Sequence, residues 1–375
     1  MDKMLDTVVI GGGAMGSAAA WALSRRGRQV TLVEQFGPGH KIGASHGTTR
    51  NLNPGYHRPE YVAMLAEGLA LWDELEQDSG EMLLARTGIV NHGPDPRLPD
   101  VAAALNEAGI RAEFLSPAEA GARWRGIHFD QQALYMPDGG QLNPEAALPV
   151  FQRLAAARGA EIRHHTKVVE FKVMDDGVRL AFESEAGTEV VTAAQVVVTA
   201  GGWTEKLLGT AGAGLRIPKL RVTQEQPAHF RVADAGAVWP GFNHMPGTSP
   251  EYKNWYSPVY GMQTPGEGIK AGWHGVGPLV DPDRRSFQPE PVQLAALQDY
   301  ARTWLPGVDP DSFEAISCTY TTTPDEDFIL DRIGPVVIGA GFSGHGFKFT
   351  PVVGRILADL ATGTRPAPDI FRASR

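Results

Sequence analysis

Three short, predominantly apolar runs stand out along the chain, at residues 7–10, 30–33 and 196–200. None alternates apolar with polar positions, the pattern of strands buried on both faces of a parallel sheet. The first run enters Gly11-Gly12-Gly13-Ala14-Met15-Gly16, and the alanine-rich stretch 17–26 that follows reads as a helix closed by Gly27. The second run ends at Glu34. Strand, tight turn, helix and strand within roughly 30 residues make a βαβ unit.

Elsewhere the period changes. Apolar residues recur at helical spacing over 59–78 (Tyr61, Met64, Leu65, Leu69, Leu71, Trp72, Leu75), predicting an amphipathic helix. The same spacing returns at 144–158, and strands are expected at 161–165, 168–173 and 178–183. Segments 85–145 and 217–290, broken by Gly and Pro, carry little helical pattern. Near the C-terminus the opening grammar repeats, with a strand at 336–338, a glycine-rich turn at 339–348 and a helix at 351–360. The expected fold class is α/β with mixed α+β character. A Rossmann-type domain (1–85, 146–216 and 317–375) is interleaved with a β-rich substrate domain (86–145 and 217–316).

Composition narrows the class. The 375 residues suggest about two domains. Hydrophobic residues at 42% and charged residues at 21% exclude a disordered or fibrous chain. No window holds 18 consecutive apolar residues, so no transmembrane helix is expected. Lys and Arg total 34 against 43 Asp and Glu, a net charge of −9 that repels phosphate backbones and anionic lipid. Nucleic-acid and membrane partners are therefore not expected. The single cysteine, Cys318, permits no intrachain disulfide, and the first residues lack the pattern of a signal peptide. A cytoplasmic location follows as the expectation.

Gly11-x-Gly13-x-x-Gly16, between strand and helix, fits a dinucleotide fingerprint. Its glycines make the turn, admit a pyrophosphate against the backbone and let helix and strand pack closely. The helix start at Ala14 and Met15 then offers unpaired N–H groups to phosphate. Glu34 can accept ribose hydroxyls and disfavours a 2′-phosphate. The motif alone does not separate FAD from NAD. Ala200-Gly201-Gly202-Trp203 and the glycine-rich turn at 339–348 favour FAD. An extended FAD needs a second turn for its ring, where a helix dipole can stabilise the reduced form.

Four motifs then carry a resemblance that spans essentially the whole chain. They are the fingerprint, Gly43-Ala44-Ser45-His46-Gly47-Thr48-Thr49-Arg50, the stretch 318–326 (Cys-Thr-Tyr-Thr-Thr-Thr-Pro-Asp-Glu), and 341–348 (Gly-Phe-Ser-Gly-His-Gly-Phe-Lys). The chain resembles the monomeric sarcosine oxidase and N-methyltryptophan oxidase family of the glycine/D-amino-acid oxidase class. The resemblance implies FAD, bound covalently through a thioether at Cys318. It implies cofactor contacts from Gln35, Ser45, Thr49, Val168, Ala200, Gly201, Trp203, Gly341, Phe342, Gly344, His345 and Gly346, with His46 and Arg50 packed close to the ring. Lys270 falls where the family places an oxygen-activating lysine, and Lys348 where it pairs a substrate carboxylate. Tyr56, Met245 and His274 are candidates for the pocket wall. No metal site is implied.

One position departs from the pattern. Where the family carries a second arginine that clamps the carboxylate, this chain has Asn53. An amide cannot replace a two-point guanidinium clamp. This points away from sarcosine and toward a larger, hydroxylated substrate such as an N-fructosyl amino acid, as in fructosyl-amino-acid oxidases of the same superfamily. The implied activity is oxidation of a secondary amine. A hydride passes to the flavin, the imine hydrolyses and O2 becomes H2O2. The implied partners are the amine and O2, and the protein is expected to be a monomer. Sarcosine oxidation proper, and a dehydrogenase using another acceptor, are the alternatives.

Overall fold

A computed structural model describes residues 3–210 and 215–375. The run 7–10 lies in a strand, Lys3–Ile10, that forms the spine of an eight-stranded sheet. Val30–Val33 pairs with it in parallel on one edge, followed by Glu161–Arg163. On the other edge runs a long strand, Gly187–Val198. Its length has a reason, since each half serves a different neighbour. Residues 187–193 pair antiparallel with Gly177–Ser184, while 196–198 pair in parallel with Val336–Ala340. Val8, Val9, Val196, Val197, Val336 and Val337 are fully buried, which is why these runs show no alternation.

The helix after the fingerprint, Ala14–Ser24, packs on Thr350–Thr362 through a glycine contact. A Cβ on Gly354 would stand 2.6 Å from the Ala18 backbone, so glycine is required there. The expected helices at 59–78 and 144–158 are present as Pro59–Ser79 and Pro144–Ala156.

A second eight-stranded sheet collects strands from 89–136 and 228–315. Its centre is Ala228–Val232, Gly268–Trp273 and Val259–Thr264, antiparallel throughout. One parallel pair, Gly241–His244 with Ile89–His92, joins its two chain segments. The helix Pro291–Trp304 covers this sheet with Leu297, Tyr300, Ala301 and Trp304. Leu98–Glu107 is also helical, within a segment where the pattern showed no long helix. It is ten residues long, begins at a proline turn and buries only Leu98, Val101, Ala102 and Leu105. Too few turns repeat for a period to emerge. Two small sheets lie at the junction. Arg221–Glu225 pairs with Cys318–Thr322, and Arg50–Leu52 pairs with Gly140–Leu142. No helix among the described residues is long and apolar enough to cross a membrane.

Candidate active site

The strand ends and the glycine turns open onto one cleft of about 590 Å³. Gly11, Gly13, Ala14 and Met15 form one end with Glu34 and Gln35, joined by Val168, Ala200, Gly201 and Trp203. Ser45 adjoins the helix start at Ala14, and His46, Arg50 and Cys318 line the cleft with Gly341, Phe342, Gly344 and Gly346. Residues separated by 300 positions in the sequence thus share one wall.

The backbone at the fingerprint leaves no room for side chains. Gly11 has φ +101°, and a Cβ there would come 2.5 Å from the Thr199 carbonyl oxygen. A Cβ on Gly16 would approach the Gly11 oxygen to 1.8 Å, so strand and helix touch here only because residue 16 is glycine. Glu34 binds the loop through both oxygens, accepting from Gly12 N–H at 2.7 Å and Phe36 N–H at 2.9 Å. Gln152, which no local pattern singled out, steadies the same turn by donating to the Gly12 carbonyl at 3.1 Å and to Ser17 Oγ at 3.0 Å. The helix start differs from expectation at Ala14, whose N–H is not unpaired but donates to Ser45 Oγ at 3.0 Å, while the helix end itself faces the cleft. This cradle fits the pyrophosphate and ribose of FAD.

At the opposite end, Arg50 ties its own loop together. It donates to the carbonyls of Ala44 at 3.0 Å, His46 at 2.5 Å and Thr49 at 2.8 Å, and lies 3.8 Å from Cys318 Sγ. His46 is pushed down to about 3 by burial, with Arg50 the next cause, so its ring is neutral. Its Nε2 is buried without a partner.

Two lysines stand just behind the cleft wall. Lys270, on Gly268–Trp273, is 4% exposed and donates to the Thr49 carbonyl at 3.0 Å. Burial, and then Arg50, lower it to about 7. Lys348 is 7% exposed and donates to Tyr56 Oη at 3.1 Å and to the His345 carbonyl at 2.9 Å. Burial lowers it to about 7 as well. Trp72 fixes the backbone here by donating Nε1–H to the Lys348 carbonyl at 2.9 Å. Among the described residues no carboxylate forms an ion pair with either lysine. His274, lowered to about 4 by burial and then by Lys348, lies 3.4 Å from Tyr320 Oη. Tyr320, buried, and Tyr260, half-buried, have their hydroxyls pushed up by desolvation and complete this side. Tyr320 lies inside the 318–326 motif; Tyr260 had no signal in the sequence beyond its residue type.

Besides the two lysines, six expected site residues lie off this cleft wall. Tyr56 and His345 line a second cavity instead, and His274 sits behind the wall against Tyr320. Thr49 reaches the site through its carbonyl, while its hydroxyl meets Thr264 Oγ1 at 2.8 Å. Met245 does not line the cleft. It ends the Gly241–His244 strand and donates its N–H to the His92 carbonyl. Asn53 also stays off the cleft wall. Its amide donates to Asn91 Oδ1 at 3.2 Å and accepts from Gly55 N–H at 2.9 Å. The turn at 53–55 explains this, because Asn53 must hold the backbone two residues on.

Such a site, with a dinucleotide cradle at one end and buried cations at the other, is that of a flavin-dependent oxidoreductase. A family model described as FAD dependent oxidoreductase matches residues 6–360, and the chain belongs to that family. It is 33% identical to the monomeric sarcosine oxidase of Bacillus sp. (strain NS-129), over 99% of this chain and 96% of the relative. It is 31% identical to the N-methyl-L-tryptophan oxidase of Salmonella newport (strain SL254), over 99% and 98%. Among solved structures it is similar to NikD, an unusual amino acid oxidase essential for nikkomycin biosynthesis. That match has a TM-score of 0.84 and 27% identity, covering 99% of this chain and 98% of that one.

Proposed function

We propose that the protein oxidises the secondary amine of an N-substituted α-amino acid, with O2 as acceptor and H2O2 as product. The observation that carries this reading is the pair of buried lysines behind the wall of one cleft, neither paired with a carboxylate among the described residues. A buried cation is costly unless an anion offsets it. Lys348 meets that need with the substrate carboxylate, and Lys270 with the charge that develops on O2 as it is reduced. Bound FAD supplies the hydride acceptor. Arg50, by gathering three carbonyls, holds the 44–50 loop in place on the cleft wall.

Cys318, on the cleft wall, is the site of the covalent bond to the cofactor. The protein acts as a cytoplasmic monomer. The group on nitrogen is a fructosyl residue rather than methyl. Asn53 replaces the family's clamp arginine, which removes the planar two-point partner for a small substrate's carboxylate. His46, on the cleft wall, has an Nε2 without a partner that a sugar hydroxyl can meet. A site built for hydroxyls rejects analogues that lack them.

The test is peroxide release with fructosyl-glycine, fructosyl-valine, sarcosine, N-methyltryptophan and L-pipecolate. A fructosyl amino acid should show the highest kcat/KM. Sarcosine turning over faster overturns the sugar reading and leaves the amine oxidase reading standing. Substrate-driven loss of the flavin colour without peroxide would mean an acceptor other than O2.

A further inference from the structure

Lys348 stands between two cavities. Its neighbours Gly346 and Phe347 line the larger cleft, while Tyr56 and His345 line a second cavity of about 380 Å³. Arg58, Asp95, Asp327 and Asn91 also face that second cavity, a wall polar enough to hold water.

A single row of hydrogen bonds connects the lysine to it. Lys348 Nζ donates to Tyr56 Oη at 3.1 Å, Tyr56 Oη lies 2.9 Å from His345 Nδ1, and His345 Nε2 lies 3.1 Å from the Glu326 carbonyl. A carbonyl oxygen only accepts, so Nε2 carries the ring proton and Nδ1 accepts from the tyrosine hydroxyl. Every bond in the row therefore points the same way, from the lysine to the second cavity.

A secondary amine arrives from neutral water as an ammonium ion and must lose a proton before it can be oxidised. The titratable groups packed round Lys348 are Tyr56, His345 and His274. Burial keeps both imidazoles neutral and lowers Lys348 to about 7, so a neutral amine is accessible at Nζ.

We propose that Lys348 takes the ammonium proton of the incoming substrate, and that Tyr56 and His345 pass it to the second cavity after product has left. This inference rests on the amine oxidase reading. The substrate N–H bond breaks and an N–H bond forms at Lys348 Nζ, and the charged lysine then pairs with the carboxylate. On resetting, that proton moves to Tyr56 as the tyrosine proton moves to His345 Nδ1, and the Nε2 proton leaves to water. Exchange with cavity water restores the starting tautomer. No electrons move, and one proton crosses per turnover.

Tyr56→Phe and His345→Gln break the row. In the first experiment propionate, a carboxylate without an amine, is bound to the holoenzyme at about pH 8, above the lysine's lowered pKa. A pH-indicator dye should report uptake of close to one proton per site. That uptake should slow by about tenfold or more in both variants. In the second, with the best amine substrate, the first flavin reduction should stay within about threefold of wild type, while steady-state kcat falls about tenfold or more. Added imidazole should restore turnover in His345→Ala. No proton uptake by wild type, equal uptake rates in wild type and variants, or first and later turnovers slowed by the same factor each overturn the path. Failure of the amine oxidase reading looks different: no amine reduces the wild-type flavin, whatever the propionate experiment shows.

Discussion

Lys270 and Arg50 share one acceptor. The Thr49 carbonyl oxygen takes a hydrogen bond from Lys270 Nζ at 3.0 Å and from Arg50 Nη1 at 2.8 Å. Two cations held on one oxygen repel each other, which adds to burial in lowering Lys270 to about 7. Its charge is therefore present below neutral pH and is lost as pH rises through that value. Reoxidation of the reduced flavin by O2 should slow across that range. Lys270→Met should be slow and independent of pH there. A charge about 4 Å from the developing anion, at an effective dielectric near 20, is worth roughly 4 kcal/mol. That sets an upper limit near a thousandfold on the rate. Stopped-flow reoxidation within a few-fold of wild type would remove Lys270 from this role.

The cradle makes a sharper demand at two glycines. Gly11→Ala places a Cβ against the Thr199 carbonyl at a φ of +101°. Gly344→Ala, at φ +76°, drives one into the Tyr320 ring at 2.2 Å. Both variants should purify with little or no flavin. Their far-UV circular dichroism should match that of wild type, because neither position lies inside a helix or strand. Normal flavin content in Gly11→Ala would mean that the dinucleotide lies elsewhere.

Attachment at Cys318 has a direct readout. Acid precipitation of wild type should carry the yellow colour into the pellet, and in Cys318→Ala the colour should remain in the supernatant. The thiol lies on the cleft wall, 3.8 Å from the Arg50 guanidinium. A colourless wild-type pellet would contradict covalent attachment and leave FAD binding untouched.

Acid should weaken the second sheet first. His92 and His244 stack at 3.9 Å on the parallel strand pair, both fully buried. Burial lowers His92 to about 3 and His244 well below its usual value. A histidine lowered in the folded state binds fewer protons there than in the unfolded chain. Its stabilisation is therefore complete above about pH 6.5 and lost as pH falls below it, by up to about 1.4 kcal/mol per pH unit for each ring. His92→Phe, which keeps an aromatic ring in the stack, should reduce the slope of stability against pH between about 6 and 4. An unchanged slope in denaturant titrations would mean that other groups govern acid unfolding.

The parallel sheet was legible because burial on both faces removes alternation. Val8, Val197 and Val337 are apolar for the same reason, and a glycine turn follows each of their strands. The cofactor cradle was legible because Gly11 and Gly16 are sterically obligatory. The substrate side was less so. Gln152 reaches Gly12 across 140 positions of sequence, and His345 reaches Tyr56 across 289. Asn53 shows the limit most clearly. Its residue type suggested a substrate contact, yet the nearby turn claims one end of its amide and Asn91, from another strand, takes the other. Short helices such as Leu98–Glu107 were missed because a single buried stripe of four residues gives no period.

The central claim is that a carboxylated secondary amine delivers electrons to the flavin beside Lys348. It is tested most directly by anaerobic mixing of the holoenzyme with fructosyl-valine and, separately, with its methyl ester. The account expects rapid loss of the flavin colour with the free acid and a large decrease in rate with the ester. Lys348→Met should respond to the two compounds alike. Equal rates with acid and ester in wild type, or no colour loss with any carboxylated secondary amine, would contradict it.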